Sequence, residues 1–177
     1  MKYRKIGRSG LIVSELCLGT NMFGGANLAF WKTLGGLDQN AVNAVVSTAI
    51  DGGVNFFDTA EMYAIPPSVE RFGTTEAIIG NWFASRSNRD KVILASKITG
   101  PGLPWLREGN NRINKINILS AVEDSLTRLK TDYIDLYQLH WPNRGSYHFG
   151  KTWGFSPDFD VKAEEENFLE VLHPLQG

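Results

Sequence analysis

Four short apolar segments end near residues 20, 58, 97 and 140, and a helical pattern fills each interval between them. LIVSELCLGT (11–20), NFFDTA (55–60), VILASKI (92–98) and IDLYQLH (134–140) are rich in β-branched and aromatic residues. Strands that recur about every 40 residues with a helix between them predict a parallel sheet built from right-handed crossovers. The strands are apolar along nearly their full length, as expected when both faces of a sheet are buried.

The intervening segments carry helix signals. Asp38 is placed to cap a helix whose Val42, Val45, Val46, Ala49 and Ile50 repeat at helical spacing, with Gly52 and Gly53 ending it. Thr74 is the expected cap of a second helix carrying Ile78, Ile79, Trp82 and Phe83. Asn114 is the expected cap of a third, with Ile118, Leu119, Val122, Leu126 and Leu129 as its buried stripe. YRKIG (3–7) and the start of 11–20 flank the turn signal RSG and predict an N-terminal hairpin. NMFGGANLAFWKTLGG (21–36) reads as a loop, and a fourth helix is expected to begin near Ala163, with Pro174 disturbing its last turn. The chain reads as one domain over 1–177: hairpin and first strand to residue 20, βα repeats over 38–140, and a loop with the start of a helix over 141–177.

An open doubly wound sheet and part of a (β/α)8 barrel both fit this alternation. The first βα connection, LGTNMFGGAN, lacks a G-x-G-x-x-G that opens a helix, which argues against a dinucleotide cradle of the open-sheet kind. Polar residues instead gather at successive strand C-termini, the rim where barrel enzymes keep their chemistry. A complete barrel needs eight strands and about 250 residues, so four strands predict a truncated one.

Lys and Arg total 18 against 19 Asp and Glu, a formal charge of −1 that gives no electrostatic basis for binding nucleic acid or an anionic membrane surface. No apolar run approaches the ~18 residues of a membrane span. The single cysteine, Cys17, excludes an internal disulfide and suits a reducing cytoplasm. Within LCLG it reads as a small buried hydrophobe.

The rim residues are Asp58, Tyr63, Lys97 and His140. Each has an ordinary structural explanation: a turn cap, a packing aromatic, a solvated lysine, a half-buried imidazole. Together on one rim they form a coherent proton-transfer set. A phenol with a pKa of ~10 is a poor acid at neutral pH. A neighbouring ammonium lowers that value, and a carboxylate orients the ammonium. An imidazole can hydrogen-bond a substrate carbonyl. Such a set protonates a carbonyl oxygen as it gains electrons, and the hydride must come from a cofactor.

GVNFFDTAEMY, LASK and VEDSLTRLKTDYIDLYQLHWP resemble the sequence blocks of the aldo/keto reductase superfamily, and AEMYAIPP and IGNWFASR resemble its bacterial Tas-like branch. The similarity runs over roughly residues 1–173. The resemblance implies a (β/α)8 fold, NADPH as cofactor and a small-molecule carbonyl substrate. It implies Tyr63 as general acid, Lys97 as its pKa-lowering partner, Asp58 as the residue that orients Lys97, and His140 as the residue that steers the carbonyl. Thr20, Asn21 and Asp58 match positions beside the nicotinamide ribose, and Trp141 matches part of the substrate wall. The family's later strands and loops, which hold the carboxamide and the phosphates, have no counterpart among these residues. Three readings are therefore open: a reductase represented by its N-terminal half and inactive alone, a half barrel completed by a second copy as a homo-oligomer, and a non-catalytic binding or regulatory module.

Overall fold

The computed structural model describes residues 1–25 and 36–143. Tyr3–Lys5 (β1) pairs antiparallel with Ile12–Ser14 (β2), forming the expected hairpin. Cys17–Gly19 (β3), Phe56–Asp58 (β4), Ile93–Ile98 (β5) and Leu136–Leu139 (β6) form a separate four-stranded sheet in the order β3-β4-β5-β6. All its pairs are parallel. Neighbours in sequence are neighbours in space, which is the strand order of half a (β/α)8 barrel.

The helices are Gln39–Asp51 (α1), Thr74–Arg86 (α2) and Lys115–Leu129 (α3). Asp38 caps α1 by accepting from the Ala41 amide at 2.9 Å, and Asn114 caps α3 through the Asn117 amide at 2.9 Å. Gly52 keeps a right-handed helical conformation, and Gly53 makes the left-handed step, with φ 87°. The cap of α2 differs from the expectation. Thr74 is the first helical residue, and Gly73, at φ 74°, stands at the N-cap with no side-chain bond. A residue with positive φ is needed to bring the chain in from the preceding loop, and glycine takes that conformation without a Cβ clash.

Alternation along the strands gives the sheet two unlike faces. Phe57 and Leu94 point to the helix side and join Val42 and Val46 of α1, Ile79, Trp82 and Phe83 of α2, and Leu129 of α3 in the main core. A second cluster sets Ile98 against Ile113, Ile118 and Ala121. Fully burying one such large side chain contributes about 1.5–3 kcal/mol. On the opposite face the register carries Asp58 beside Ala95, and Lys97 beside Gln138.

Cys17 lies on that second face, on an edge strand of the described sheet, and is exposed; it is not the buried hydrophobe its apolar neighbours suggested. The helices cover the other face, so local apolarity does not decide its burial. Its thiol is nonetheless pushed up to about 11, first by desolvation against the sheet and then by the charge of Asp58, which leaves it a weak nucleophile. No helix among the described residues is long and apolar enough to cross a membrane. The expected loop falls partly, and the expected helix near Ala163 wholly, outside the described residues.

Candidate active site

Asp58 is the last residue of β4, Lys97 the penultimate residue of β5, and His140 follows β6 directly. Parallel pairing alone therefore brings three of the four rim residues to one end of the sheet. Lys97 Nζ donates to Asp58 Oδ2 at 2.7 Å and to the Thr59 carbonyl at 2.7 Å. The ammonium also lies 5.0 Å from the centroid of the Tyr63 ring, within cation–π range. Tyr63 meets His140 edge to face, with ring centroids 5.7 Å apart. His140 in turn lies 5.0 Å from the Trp141 ring. All four expected residues thus come together in one cluster.

Tyr63 reaches the cluster from the loop after β4, which is held at several points. Its own amide donates to Ala60 O at 3.1 Å, and Ile65 N donates to Asn21 O at 3.0 Å. Trp141 is buried, donates its indole N–H to Pro101 O at 2.8 Å, and packs with Ala60 and Met62. Gly100 makes that seat: a Cβ there would lie 2.5 Å from the Trp141 ring.

The electrostatics differ from the expectation in one respect. The Tyr63 phenol is pushed above its ordinary value, first by burial and then by the charge of Asp58, not pulled down by Lys97. The ammonium is engaged by Asp58 and Thr59 and lies against the face of the ring, so it does not bond the hydroxyl. The phenol is therefore neutral around pH 7, with its proton in place.

Thr20 is fully buried and donates its hydroxyl to Asp58 O at 2.9 Å, bracing the strand end. Asn21 is exposed beside it. Gly19 pairs in register with Asp58, and a Cβ there would meet nothing within 4 Å, so the sheet face beside Asp58 is open. An exposed amide, a half-exposed carboxylate and an open floor suit the hydroxyl-bearing ribose and flat ring of a nicotinamide nucleotide. Among the described residues no group of three or more His, Cys, Asp or Glu could hold a metal.

Two participants were not singled out from the sequence. Gln138 donates to Asp58 Oδ1 at 3.2 Å, so that each carboxylate oxygen has one partner. Its signal was its position two residues before His140, on the same strand face. Glu61 is the other: it is fully buried and ion-paired to Arg107 at 2.6 Å. An acid in an apolar strand-to-loop segment was its only local sign.

A parallel strand run thus carries an acid, an amine, a phenol and an imidazole together on its C-terminal rim, the end where barrel enzymes keep their chemistry. The sequence profile described as "Aldo/keto reductase family" matches residues 15–173. The chain belongs to the aldo/keto reductase family. It is 40% identical over 178 residues to "Protein tas" of Escherichia coli (strain K12), covering 99% of this chain and 47% of that protein. It is 35% identical over 173 residues to "Norsolorinic acid reductase stcV" of Emericella nidulans, covering 94% of this chain and 37% of that protein. The solved aldo-keto reductase AKR11C1 from Bacillus halodurans (holo form) superposes with a TM-score of 0.64 at 29% identity, over 99% of this chain and 47% of that one. The chain thus spans about half the length, or less, of these relatives.

Proposed function

We propose that the site reduces aldehyde or ketone carbonyls to alcohols, with NADPH as cofactor and Tyr63 as proton donor. The observation that carries this reading is the Asp58–Lys97 pair packed beneath a neutral Tyr63 ring, with His140 at the ring's edge. When bound, NADPH supplies the hydride. Asn21 and Asp58 are the residues of this chain placed to hold its ribose, and Thr20 braces Asp58 from behind.

His140 binds the substrate oxygen and turns it toward the Tyr63 hydroxyl. Tyr63 donates its proton as negative charge grows on that oxygen. Lys97, beside the ring, stabilises the phenolate that remains, and Asp58 keeps the lysine in place. Trp141 walls the side of the site where the substrate's remainder lies. The mechanism needs a protonated phenol at the start, which the raised value of Tyr63 supplies. A reductase name among the relatives supports the reaction class.

The test is NADPH oxidation, followed at 340 nm, with an aromatic aldehyde and an aliphatic ketone. Turnover by the wild-type protein that collapses in Tyr63→Phe supports the reading. Turnover retained by Tyr63→Phe removes the proton-donor role.

A further inference from the structure

Glu61 is a charged side chain that the proposed mechanism does not use, yet it lies two residues before Tyr63 and is wholly buried. Its carboxylate accepts the Thr99 amide at 2.6 Å and both terminal nitrogens of Arg107, at 3.2 and 2.6 Å. Its main chain is engaged as well: Glu61 N donates to Lys97 O at 3.3 Å, and Gly73 N donates to Glu61 O at 2.8 Å. One residue thus joins the exit of β5, the loop from Thr99 to Ile113, and both ends of the loop that carries Tyr63.

Arg107 sits in the left-handed region at φ 48°, as does Glu108 at φ 56°. Non-glycine residues hold that conformation only when the surroundings enforce it, and such strain collects at functional sites. The fork to Glu61 anchors the side chain of the first of these two residues. A planar guanidinium bonded through two nitrogens fixes orientation as well as distance. The same loop presents Trp105, which packs edge to face on Phe72, with centroids 5.9 Å apart.

We infer that Glu61 is a positioning residue: its fork with Arg107 locks the β4 and β5 exit loops together and thereby sets the Tyr63 ring over the Lys97 ammonium. Its catalytic consequence rests on the proposed role of Tyr63. The geometric claim does not. With the lock intact, Tyr63 and Lys97 keep their 5.0 Å relation; with it broken, the two loops move independently and the ring leaves the ammonium.

The lysine ε-methylene protons report this directly, because the aromatic face of Tyr63 shifts them upfield. With lysine-labelled 177-residue chain, the wild type should show one ε-methylene pair displaced upfield, which Tyr63→Leu should return to the common position and so assign. Glu61→Gln should lose at least half of that upfield shift, and turnover, where measured, should fall about tenfold with NADPH affinity unchanged. Glu61→Gln leaves a largely covered guanidinium without its counter-charge and could unfold. Arg107→Lys, which keeps the charge and loses the fork, and the neutral pair Glu61→Gln/Arg107→Met therefore accompany it, and each should also lose part of the shift. An unchanged shift in a folded Arg107→Lys or double variant overturns the inference, and so does failure of all three to fold, which would make the pair purely structural. A shift lost as expected in a protein that oxidises no NADPH leaves the positioning intact and removes the proposed reaction instead.

Discussion

At both ends of the parallel sheet a basic residue near β5 meets an acid from a neighbouring strand, and the two pairs are treated in opposite ways. At the N-terminal end, Arg89 Nη2 bonds Asp135 at 2.7 Å, and both side chains are 13% exposed. Every guanidinium nitrogen of Arg89 and one carboxylate oxygen of Asp135 have a structural task. Arg89 also donates to Val92 O, Thr131 Oγ1 and Tyr133 O, and its guanidinium carbon lies 3.9 Å from the Tyr133 ring centroid. Asp135 accepts the Leu94 amide as well. At the C-terminal end, Lys97 bonds Asp58 at the same 2.7 Å and also lies over an aromatic ring, but the Asp58 side chain is 32% exposed. The first pair is nearly enclosed and is tied to the backbone around it. The second is left open on a rim with Tyr63 and His140 around it. The contrast teaches that surroundings set similar ion pairs apart, one enclosed by backbone and one open on a rim, as the two ends of barrel sheets divide stability from chemistry.

The sharpest break in that comparison comes from Tyr63→Phe, which should lower carbonyl turnover by about 10²- to 10⁴-fold, the usual worth of a general acid, while urea unfolding stays the same. Arg89→Met should do the reverse. It leaves Asp135 nearly buried and unpaired, so a loss of about 3 kcal/mol in urea unfolding is expected, with NADPH affinity per folded molecule unchanged. A smaller effect should follow Gln138→Leu, which frees Asp58 Oδ1: turnover falls about 2- to 10-fold, the worth of one hydrogen bond, without a change in melting temperature beyond a few degrees.

The smallest effects concern the two half-buried phenols. Tyr137 OH has no hydrogen-bond partner among the described residues, and its ionisation is pushed strongly upward by burial and then by Glu61 and Glu76. Tyr137→Phe should therefore change stability by less than about 1 kcal/mol at neutral pH. Alkali acts through the same groups. Tyr63 and Tyr137 ionise at higher pH in the fold than in the unfolded chain, so their neutral forms contribute stability that is complete below pH ~10 and fades as pH climbs toward the folded values. Urea midpoints should fall as pH rises above about 10, and Tyr137→Phe should flatten the fall.

Much of this was legible before any coordinates. Asp58, Lys97 and His140 could be placed because each ends an apolar strand in a repeating pattern, and parallel pairing then carries all three to one rim. The helix caps at Asp38 and Asn114 follow from local side-chain chemistry and stood where expected. The unread part depends on long-range contact. The Glu61–Arg107 lock joins residues 46 apart through an arginine in a left-handed turn, inside a stretch that reads only as loop. Gly73 took the cap expected of Thr74 because the approach of a preceding loop, not side-chain preference, fixed its φ. The exposure of Cys17 depends on which sheet face the helices cover, and a three-residue strand holds no such information. The direction of the Tyr63 shift likewise turned on where the Lys97 ammonium points, which spacing along the chain does not encode.

The most direct test of the central claim is a titration of the purified 177-residue protein with NADPH, read through its five tryptophans, Trp141 beside His140 among them. The account predicts saturable quenching with micromolar affinity, weakened when Asp58 is changed to Asn and unaffected by Arg89→Met. A folded protein whose fluorescence does not respond to NADPH would contradict it.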